Sequence, residues 1–318
     1  MASPSSAAEL RNCLWLGFDV PAVRLYVGSA FYIIEDLPRD PQESRELSQV
    51  SDVMAKRALC VGINDYPGSN MDLNGCVNDA LDWQSLLESR GYRVARLLDG
   101  EATRAAIAQQ LQQLIGTAAD GDSLVFTFSG HGSWLPDADR DEPDARDEMM
   151  CPHDVMKDEF LLDDDLNGIF QAKPAGARLY VIGDCCHSGS VVRYAAPPAQ
   201  SAAAPIKARF LPPYLLARGD RLLERAIDRA MNTPAPTKQQ YPALLFSGCR
   251  DTEFSYDTAF DGRPNGAFTR TAIDALQDGS ITTPLAWHAA ICARLPSQLL
   301  PQSPQLFGSD EAKNGPLL

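Results

Sequence analysis

The chain has 318 residues, a hydrophobic fraction of 45% and a formal net charge of −14. This length accommodates one large α/β domain or two small ones, and the hydrophobic fraction excludes wholesale disorder. The negative charge argues against a nucleic-acid-binding protein, which needs a cationic face. It fits a protein with basic partners or substrates, although solubility alone explains such a charge equally well.

Cysteine usage and hydropathy give expectations about location. The eight cysteines are scattered through a long chain rather than spaced as the disulfide frame of a small secreted protein. We therefore interpret them as reduced thiols of a cytoplasmic protein. No apolar run reaches the ~18 residues of a membrane-spanning helix. The apolar stretch 13–34 is interrupted by Asp19, Pro21 and Arg24, so we expect no membrane association and no signal peptide.

The first 53 residues differ from the rest of the chain. The segment 39–52 is polar and linker-like, and Met54 is followed by a short basic stretch and an apolar run. We predict that residues 1–53 are an N-terminal extension, either regulatory or a wrongly assigned start. We predict one domain over 54–318, in which two halves flank a linker; the segments are 54–194, 195–240 and 241–318.

From Met54 onwards, apolar patterns predict alternating strands and helices. The strands predicted in chain order are 57–63, 92–98, 123–129, 178–184 and 241–248. The predicted helices are 75–90, a helix capped by Thr103 with Ile107, Leu111, Leu114 and Ile115 on one face, and helices near 164–172, 214–231, 266–278 and 284–294. Residues 195–213 are rich in Ala and Pro and are predicted to be a loop. The buried strands run continuously apolar, which favours an α/β fold with a mainly parallel sheet and helices on both faces.

Two of these strands end in sequences that suggest a catalytic pair. The strand 123–129 continues into Gly130-His131-Gly132, and the strand 178–184 continues into Cys185-Cys186-His187. The carboxyl ends of parallel strands share one edge of a sheet, which would bring the thiol and the imidazole together. A free thiol has a pKa of ~8.5 and needs an adjacent base to become nucleophilic near neutral pH. The backbone N–H groups of Gly132 and Cys186 could form an oxyanion hole.

Alternative interpretations of this stretch remain open from the residues alone. A lone buried cysteine usually behaves as a small hydrophobic residue. A zinc site made of Cys185, Cys186 and His187 is disfavoured, because adjacent residues of an extended chain point in opposite directions. Spacing does not decide which of the two cysteines would be the nucleophile.

The motifs "FTFSGHGS" and "DCCHSGS" resemble the two active-site motifs of metacaspases, which are caspase-like cysteine peptidases. The resemblance extends over about 57–310 through "ALCVGINDYP", "LNGCVNDA", "LLFSGCRDTEFSYD", "GRPNGAFT" and "QSPQLFGS", and bacterial members are the most similar. It implies a caspase-like fold and a thioacyl-enzyme mechanism. It also implies that His131 is the general base and acid, and that Cys186 is the nucleophile, because Cys186 directly precedes His-Ser-Gly.

The same resemblance implies cleavage after Arg or Lys. The first specificity pocket (S1) would contain four residues, namely Cys76, Asp79, Ser129 and Asp184. A guanidinium pairs with carboxylates better than an ammonium does, so we expect Arg to be at least as good as Lys, and no cleavage after Asp. The residues alone allow other roles: Asp79 could be a first-turn acid of a helix, and Asp184 could cap a loop.

An acidic loop raises the question of calcium. Residues 137–148 hold seven acidic residues, but Glu142 stands where an EF-hand needs glycine, so an EF-hand is disfavoured and a solvated loop is the alternative. The resemblance implies an activating Ca²⁺ bound by Asp147, Asp163 and Asp164, with no cofactor required for the chemistry. Arg193 stands where the family has a further aspartate, which weakens this expectation.

The linker contains basic residues that are candidate self-cleavage sites, namely Arg193, Lys207, Arg209, Arg218 and Arg221. The resemblance further implies a monomer. Two rival functions remain at this point. One is a catalytically silent, caspase-like interaction module or calcium-responsive adaptor. The other is a clostripain-like peptidase specific for arginine, although "GCVND" and "GRPNGAFT" favour the metacaspase.

Overall fold

The computed structural model describes residues 54–136, 146–186, 206–216 and 242–318, together with two strands near the N-terminus. The chain divides into two units, Met1–Val53 and Met54–Leu318. In the first unit, β1 (Val23–Val27) pairs antiparallel with β2 (Ala30–Ile34).

A six-stranded sheet organises the second unit. Its strands are β3 (Lys56–Gly62), β4 (Arg93–Leu98), β5 (Ser123–Ser129), β9 (Arg178–Asp184), β11 (Leu244–Ser247) and β14 (Gln305–Phe307). They lie in the order β14-β11-β9-β5-β3-β4. All neighbours are parallel except β14, which runs antiparallel to β11 at one edge. The central strands β5 and β9 are almost wholly buried, which explains their continuously apolar sequence.

Seven α-helices occur among the described residues. They are α1 (Cys76–Ser89), α2 (Arg104–Gly116), α3 (Asp163–Gln171), α4 (Pro213–Leu216), α5 (Ala267–Ala275), α6 (Pro284–Cys292) and α7 (Asp310–Asn314). Side-chain caps begin several of them. The hydroxyl of Thr103 accepts from the N–H of Ala106 at the start of α2, and Thr283 does the same for Ala286 at α6.

The helices cover both faces of the sheet. On one face, α2 and α3 pack through residues such as Leu111 and Phe170 onto the side chains of Leu124 and Phe126. On the other face, α1, α5 and α6 form a second core with the opposite side chains of the same strands. This core contains Trp83, Phe246, Phe268, Trp287 and Ile291. The α/β architecture predicted from the sequence, with a mainly parallel sheet and helices on both faces, is confirmed.

Two small antiparallel sheets stand beside the large one. The first contains β6 (Gly132–Pro136), β7 (Arg146–Met150) and β8 (Leu161–Leu162), in that order. The second contains β10 (Lys207–Ala208), β12 (Tyr256–Phe260) and β13 (Arg263–Gly266). In the chain, β6 follows β5 and β12 follows β11. Both small sheets therefore lie beyond the carboxyl ends of strands of the large sheet.

The predicted elements differ from the observed ones mainly outside the large sheet. The loop predicted over 195–213 contains β10, and the predicted acidic loop 137–148 ends inside β7. Of the helix predicted over 214–231, only 214–216 falls in the described part of the chain, and these residues belong to α4 (Pro213–Leu216). Short strands of two to five residues carry too little periodicity to be recognised in sequence. In the described ranges, no helix is both long and apolar enough to cross a bilayer.

Candidate active site

The two central strands deliver His131 and Cys186 to one edge of the sheet. Ser129, the last residue of β5, pairs with Asp184, the last residue of β9. His131 lies two residues after Ser129, and Cys186 lies two residues after Asp184. Because Ser129 and Asp184 are paired, the backbones of His131 and Cys186 lie side by side. Only glycine fits at position 132, because a Cβ there would overlap the carbonyl group of Cys186.

The imidazole of His131 is buried and held from two sides. Its Nε2 lies 2.5 Å from the carbonyl oxygen of Met71, and its ring centroid lies 4.7 Å from that of Tyr66. The Tyr66 hydroxyl also accepts from the His131 N–H at 2.8 Å. Burial lowers the pKa of His131 to about 4, against the opposing effect of the Met71 carbonyl. The ring is therefore neutral at physiological pH, as a general base must be.

The thiol of Cys186 lies against the loop that precedes β12. Its Sγ accepts from the N–H of Ser255 at 2.7 Å and lies 3.5 Å from the Ser255 carbonyl oxygen. It packs in a small buried cluster with Phe210 and Cys249. The pKa of the Cys249 thiol is raised, first by its hydrogen bond with Cys186 and then by burial. Thiol and imidazole thus share one sheet edge, while each makes its hydrogen bond to a neighbouring loop.

The carbonyl oxygen of Arg209 occupies the space between these two residues. It accepts from the N–H of Gly132 at 3.0 Å and from the N–H of Cys186 at 3.2 Å. These are the two N–H groups predicted from the sequence to form an oxyanion hole. A peptide carbonyl held by such a pair of N–H groups is polarised towards nucleophilic attack.

The chain around Arg209 crosses the site in an extended conformation. Before it, β10 pairs antiparallel with β12, and Ala208 is opposite Tyr256. The N–H of Arg209 donates to the carbonyl of Ser255 at 2.9 Å, and the N–H of Leu211 donates to the carbonyl of Gly132 at 2.9 Å. The segment 207–211, here called the cleft segment, therefore lies as an added strand across the candidate active site.

The guanidinium of Arg209 is fully buried between two carboxylates. Nη2 lies 2.6 Å from Oδ2 of Asp79, and Nη1 lies 3.1 Å from Oδ2 of Asp184. Burial alone would lower the pKa of Arg209, but Asp184, Cys76 and Asp79 outweigh it and raise that pKa well above its ordinary value. Arg209 is thus held as a cation in an acidic pocket.

Further side chains hold the two carboxylates in place. Asp79 accepts from Asn265 Nδ2 and from the N–H of Gly266, each at 2.9 Å. Asp184 accepts from the hydroxyl groups of Ser255 and Thr269 and from the N–H of Thr269. Burial raises the pKa of Asp79 to about 6, although the Arg209 guanidinium acts to lower it.

The four residues predicted for the specificity pocket are all buried in this region. Cys76 begins α1, and Asp79 lies in the first turn of the same helix. Burial raises the pKa of the Cys76 thiol well above its ordinary value, and the charge of Arg209 lowers it in part. Ser129 is buried at the end of β5. Asp79 and Asp184 make the ion pairs with Arg209.

Sequence reasoning missed several residues of this site. The sequence does not single out Ser255, Asn265 or Thr269, although they fall in the stretches "EFSYD" and "GRPNGAFT". Only their position in these family motifs could identify them as site residues, because the residue types alone do not. Arg209 was named only as one of five candidate self-cleavage sites. Of these, Arg193, Arg218 and Arg221 lie outside the described residues, as does His187.

The structure describes only part of the chain around the acidic residues predicted to bind calcium. Asp147 lies in β7, and Asp163 and Asp164 begin α3 directly after β8, which pairs with β7. Nevertheless, no group of three or more His, Cys, Asp or Glu side chains is placed to hold a metal ion among the described residues. Most of the acidic loop and Arg193 fall outside those residues, so calcium binding stays a prediction.

Comparisons with known proteins identify the family of the chain. The family model described as "Metacaspase, peptidase C14 domain" matches residues 56–195. Metacaspase-1B of Aspergillus fumigatus is 32% identical over 292 residues, which cover 79% of this chain and 69% of that protein. The chain belongs to the metacaspase family. The prediction of a caspase-like α/β fold is confirmed with it.

Other relatives fit the same assignment. Metacaspase-1 of Cryptococcus neoformans var. neoformans serotype D is 36% identical over 260 residues, which cover 70% of this chain. The chain spans 55% of that relative's length, little more than half. Among solved structures, protein GSU0716 from Geobacter sulfurreducens aligns with a TM-score of 0.65 at 29% identity. That alignment covers 82% of this metacaspase and 97% of the other chain.

Proposed function

We propose that this metacaspase is a cysteine endopeptidase that cleaves peptide bonds after arginine and, less efficiently, after lysine. The observation that supports it best is the position of Arg209. Its carbonyl lies between the N–H groups of Gly132 and Cys186, while its guanidinium pairs with Asp79 and Asp184. One residue thereby binds both the two N–H donors, through its carbonyl oxygen, and the acidic pocket, through its side chain.

The pocket geometry favours arginine over lysine. Two different nitrogens of the guanidinium reach two carboxylates that come from different elements, α1 and the end of β9. A lysine ammonium presents one nitrogen and cannot reproduce this fork. An aspartate side chain would bring a third carboxylate into a buried acidic pocket, which is strongly unfavourable.

The chemistry follows from the groups present. His131 takes the thiol proton of Cys186, which requires the thiol to leave Ser255, and the thiolate attacks the arginine carbonyl carbon. The carbonyl oxygen gains negative charge, which Gly132 and Cys186 N–H stabilise. The C–N bond breaks as His131 gives its proton to the leaving amine. Water, deprotonated by His131, then cleaves the thioester, which releases the new carboxylate and returns the thiol.

The same arrangement supports Arg209–Phe210 as the self-cleavage bond among the candidates in the linker. Its carbonyl already lies at the oxyanion donors. Lys207, the other described candidate, directs its Nζ to the carbonyl of Asp72 at 2.7 Å, outside the acidic pocket. While the bond is intact, the cleft segment blocks the site, so we expect the uncut chain to be inactive on other proteins.

Fluorogenic peptides ending in Arg, Lys or Asp test the proposal. We expect hydrolysis after Arg and Lys, none after Asp, and none by Cys186→Ala. Each assay is run with and without Ca²⁺, and a rate that rises with Ca²⁺ would support the calcium prediction. Hydrolysis after Asp alone would refute the pocket, and an active Cys186→Ala variant would refute the nucleophile. Inactivity on every peptide would favour the silent interaction module. The expectations of a monomer and of a cytoplasmic location stay predictions.

A further inference from the structure

The residue after Arg209 occupies a second, apolar subsite. Phe210 is only 4% exposed, although it lies in a connecting segment between the two halves of the domain. It forms a buried cluster with Cys186 and Cys249, and the partly buried rings of Trp134 and Phe254 pack against this cluster. The ring centroids of Phe210 and Phe254 are 5.7 Å apart with an interplanar angle of 51°, a favourable tilted arrangement.

Backbone contacts fix the position of this ring relative to the candidate scissile bond. Phe210 forms a parallel bridge with Gly132, the residue that donates to the Arg209 carbonyl. The N–H of Leu211 donates to the carbonyl of Gly132 at 2.9 Å. These contacts fix the backbone direction after the Arg209 carbonyl. They therefore also fix the position of the side chain that follows arginine.

The surroundings of Phe210 come from three separate elements. Trp134 lies in β6, Cys249 follows β11, and Phe254 lies in the loop before β12. All are components of the domain rather than of the cleft segment, so the pocket is available to another peptide once that segment leaves. Its described lining consists of aromatic rings and thiols, which suits a large apolar side chain and disfavours a charge.

We propose that Trp134, Cys249 and Phe254 form a specificity subsite for the residue that follows the cleaved arginine, and that it selects aromatic and large aliphatic side chains. This inference rests on the proposed function, because a subsite has meaning only if the chain cuts after arginine. The preferred substrates would then be peptides with Arg-Phe, Arg-Leu or Arg-Met at the cleavage point, accessible to the cleft as extended strands.

The test uses peptides of the sequence 206–213, Ile-Lys-Ala-Arg-Phe-Leu-Pro-Pro, with Phe, Leu, Ala or Asp at the fifth position. The enzyme is the full-length chain, and the measurement is kcat/KM for cleavage after arginine by mass spectrometry. We expect the Phe and Leu peptides to be cut about 10- to 100-fold faster than the Ala peptide. The Asp peptide should be the poorest, because its carboxylate would lose its hydration among aromatic rings.

An enzyme variant tests the lining itself. Phe254→Ala should bring the Phe-to-Ala ratio of kcat/KM close to one, whereas Phe307→Ala, the same change at an exposed ring on β14, should keep it. A ratio does not depend on the fraction of folded enzyme, so a loss of stability cannot imitate the result. Equal rates on all peptides would overturn the subsite and leave the proposed function intact. No cleavage after arginine in any peptide would overturn both.

Discussion

The two carboxylates that contact Arg209 are also held by hydrogen bonds from other residues of the domain. Asp79 receives donors from Asn265 and Gly266, and Asp184 receives them from Ser255 and Thr269. These donors orient each carboxylate towards the guanidinium. The sequence predicted Asp79 and Asp184 but not their supporting residues, because an Asn, Ser or Thr in a loop has no pattern that separates a supporting role from simple exposure.

Removing one carboxylate should impair recognition strongly. Asp79→Asn leaves a buried guanidinium with one anionic partner, and breaking a buried ion pair costs about 3 to 5 kcal/mol. We expect kcat/KM for arginine peptides to fall by about 10²- to 10⁴-fold. The control is Asp274→Asn, which breaks the partly exposed pair of Asp274 with Arg270 on α5. A similar loss in both variants would mean that Asp79 acts through stability alone.

The pH dependence of self-cleavage should follow Asp79 rather than His131. With Arg209 in place, the pKa of Asp79 is raised to about 6 and that of His131 is lowered to about 4, both because of burial. As pH falls through 6, Asp79 gains a proton and loses its attraction for the guanidinium, while His131 stays neutral and basic. The first-order rate of self-cleavage in freshly translated chain should therefore fall below pH 6. A rate that stays constant down to pH 5 would contradict this assignment.

At the scale of elements, the junction of β13 and α5 forms a wall of the acidic pocket. Gly266 ends β13 and caps α5, and its N–H donates to Asp79. A Cβ at this position would overlap Oδ2 of Asp184 and the guanidinium of Arg209. The glycine is thus required by close approach and not by its backbone angles. Gly266 is part of the motif "GRPNGAFT", but the sequence does not show why glycine is needed there. The packing of the structure shows that the missing side chain leaves space for the Asp184 carboxylate and the Arg209 guanidinium.

Gly266→Ala should therefore close the pocket to arginine. We expect cleavage after arginine to fall below detection, with the chain still folded by circular dichroism. Gly168→Ala is the matched control: Gly168 lies within α3, and a Cβ there meets nothing within 4 Å. That control should keep full activity and raise the free energy of unfolding by about 1 kcal/mol, as alanine favours helix over glycine. Retained arginine cleavage in Gly266→Ala would mean that the pocket wall lies elsewhere.

At the scale of the whole molecule, the central sheet could be predicted from the sequence. The position of the cleft segment at the carboxyl edge of that sheet could not. Strands such as Ser123–Ser129 and Arg178–Asp184 have long apolar runs, so both their bounds and their shared edge could be predicted. The cleft segment has only two residues in β10, and its pairing with β12 spans about fifty residues of chain. Such a contact depends on tertiary packing and leaves no local periodicity.

The intact mass of the purified full-length chain tests the central claim most directly. Wild-type protein should yield two fragments, residues 1–209 and 210–318, since the Arg209–Phe210 bond already lies at the candidate catalytic groups. Cys186→Ala should keep a single mass, and Arg209→Gln should not be cut at this bond. Fragments with these masses from Cys186→Ala, or a wild-type chain that is cut only at other bonds, would contradict the account.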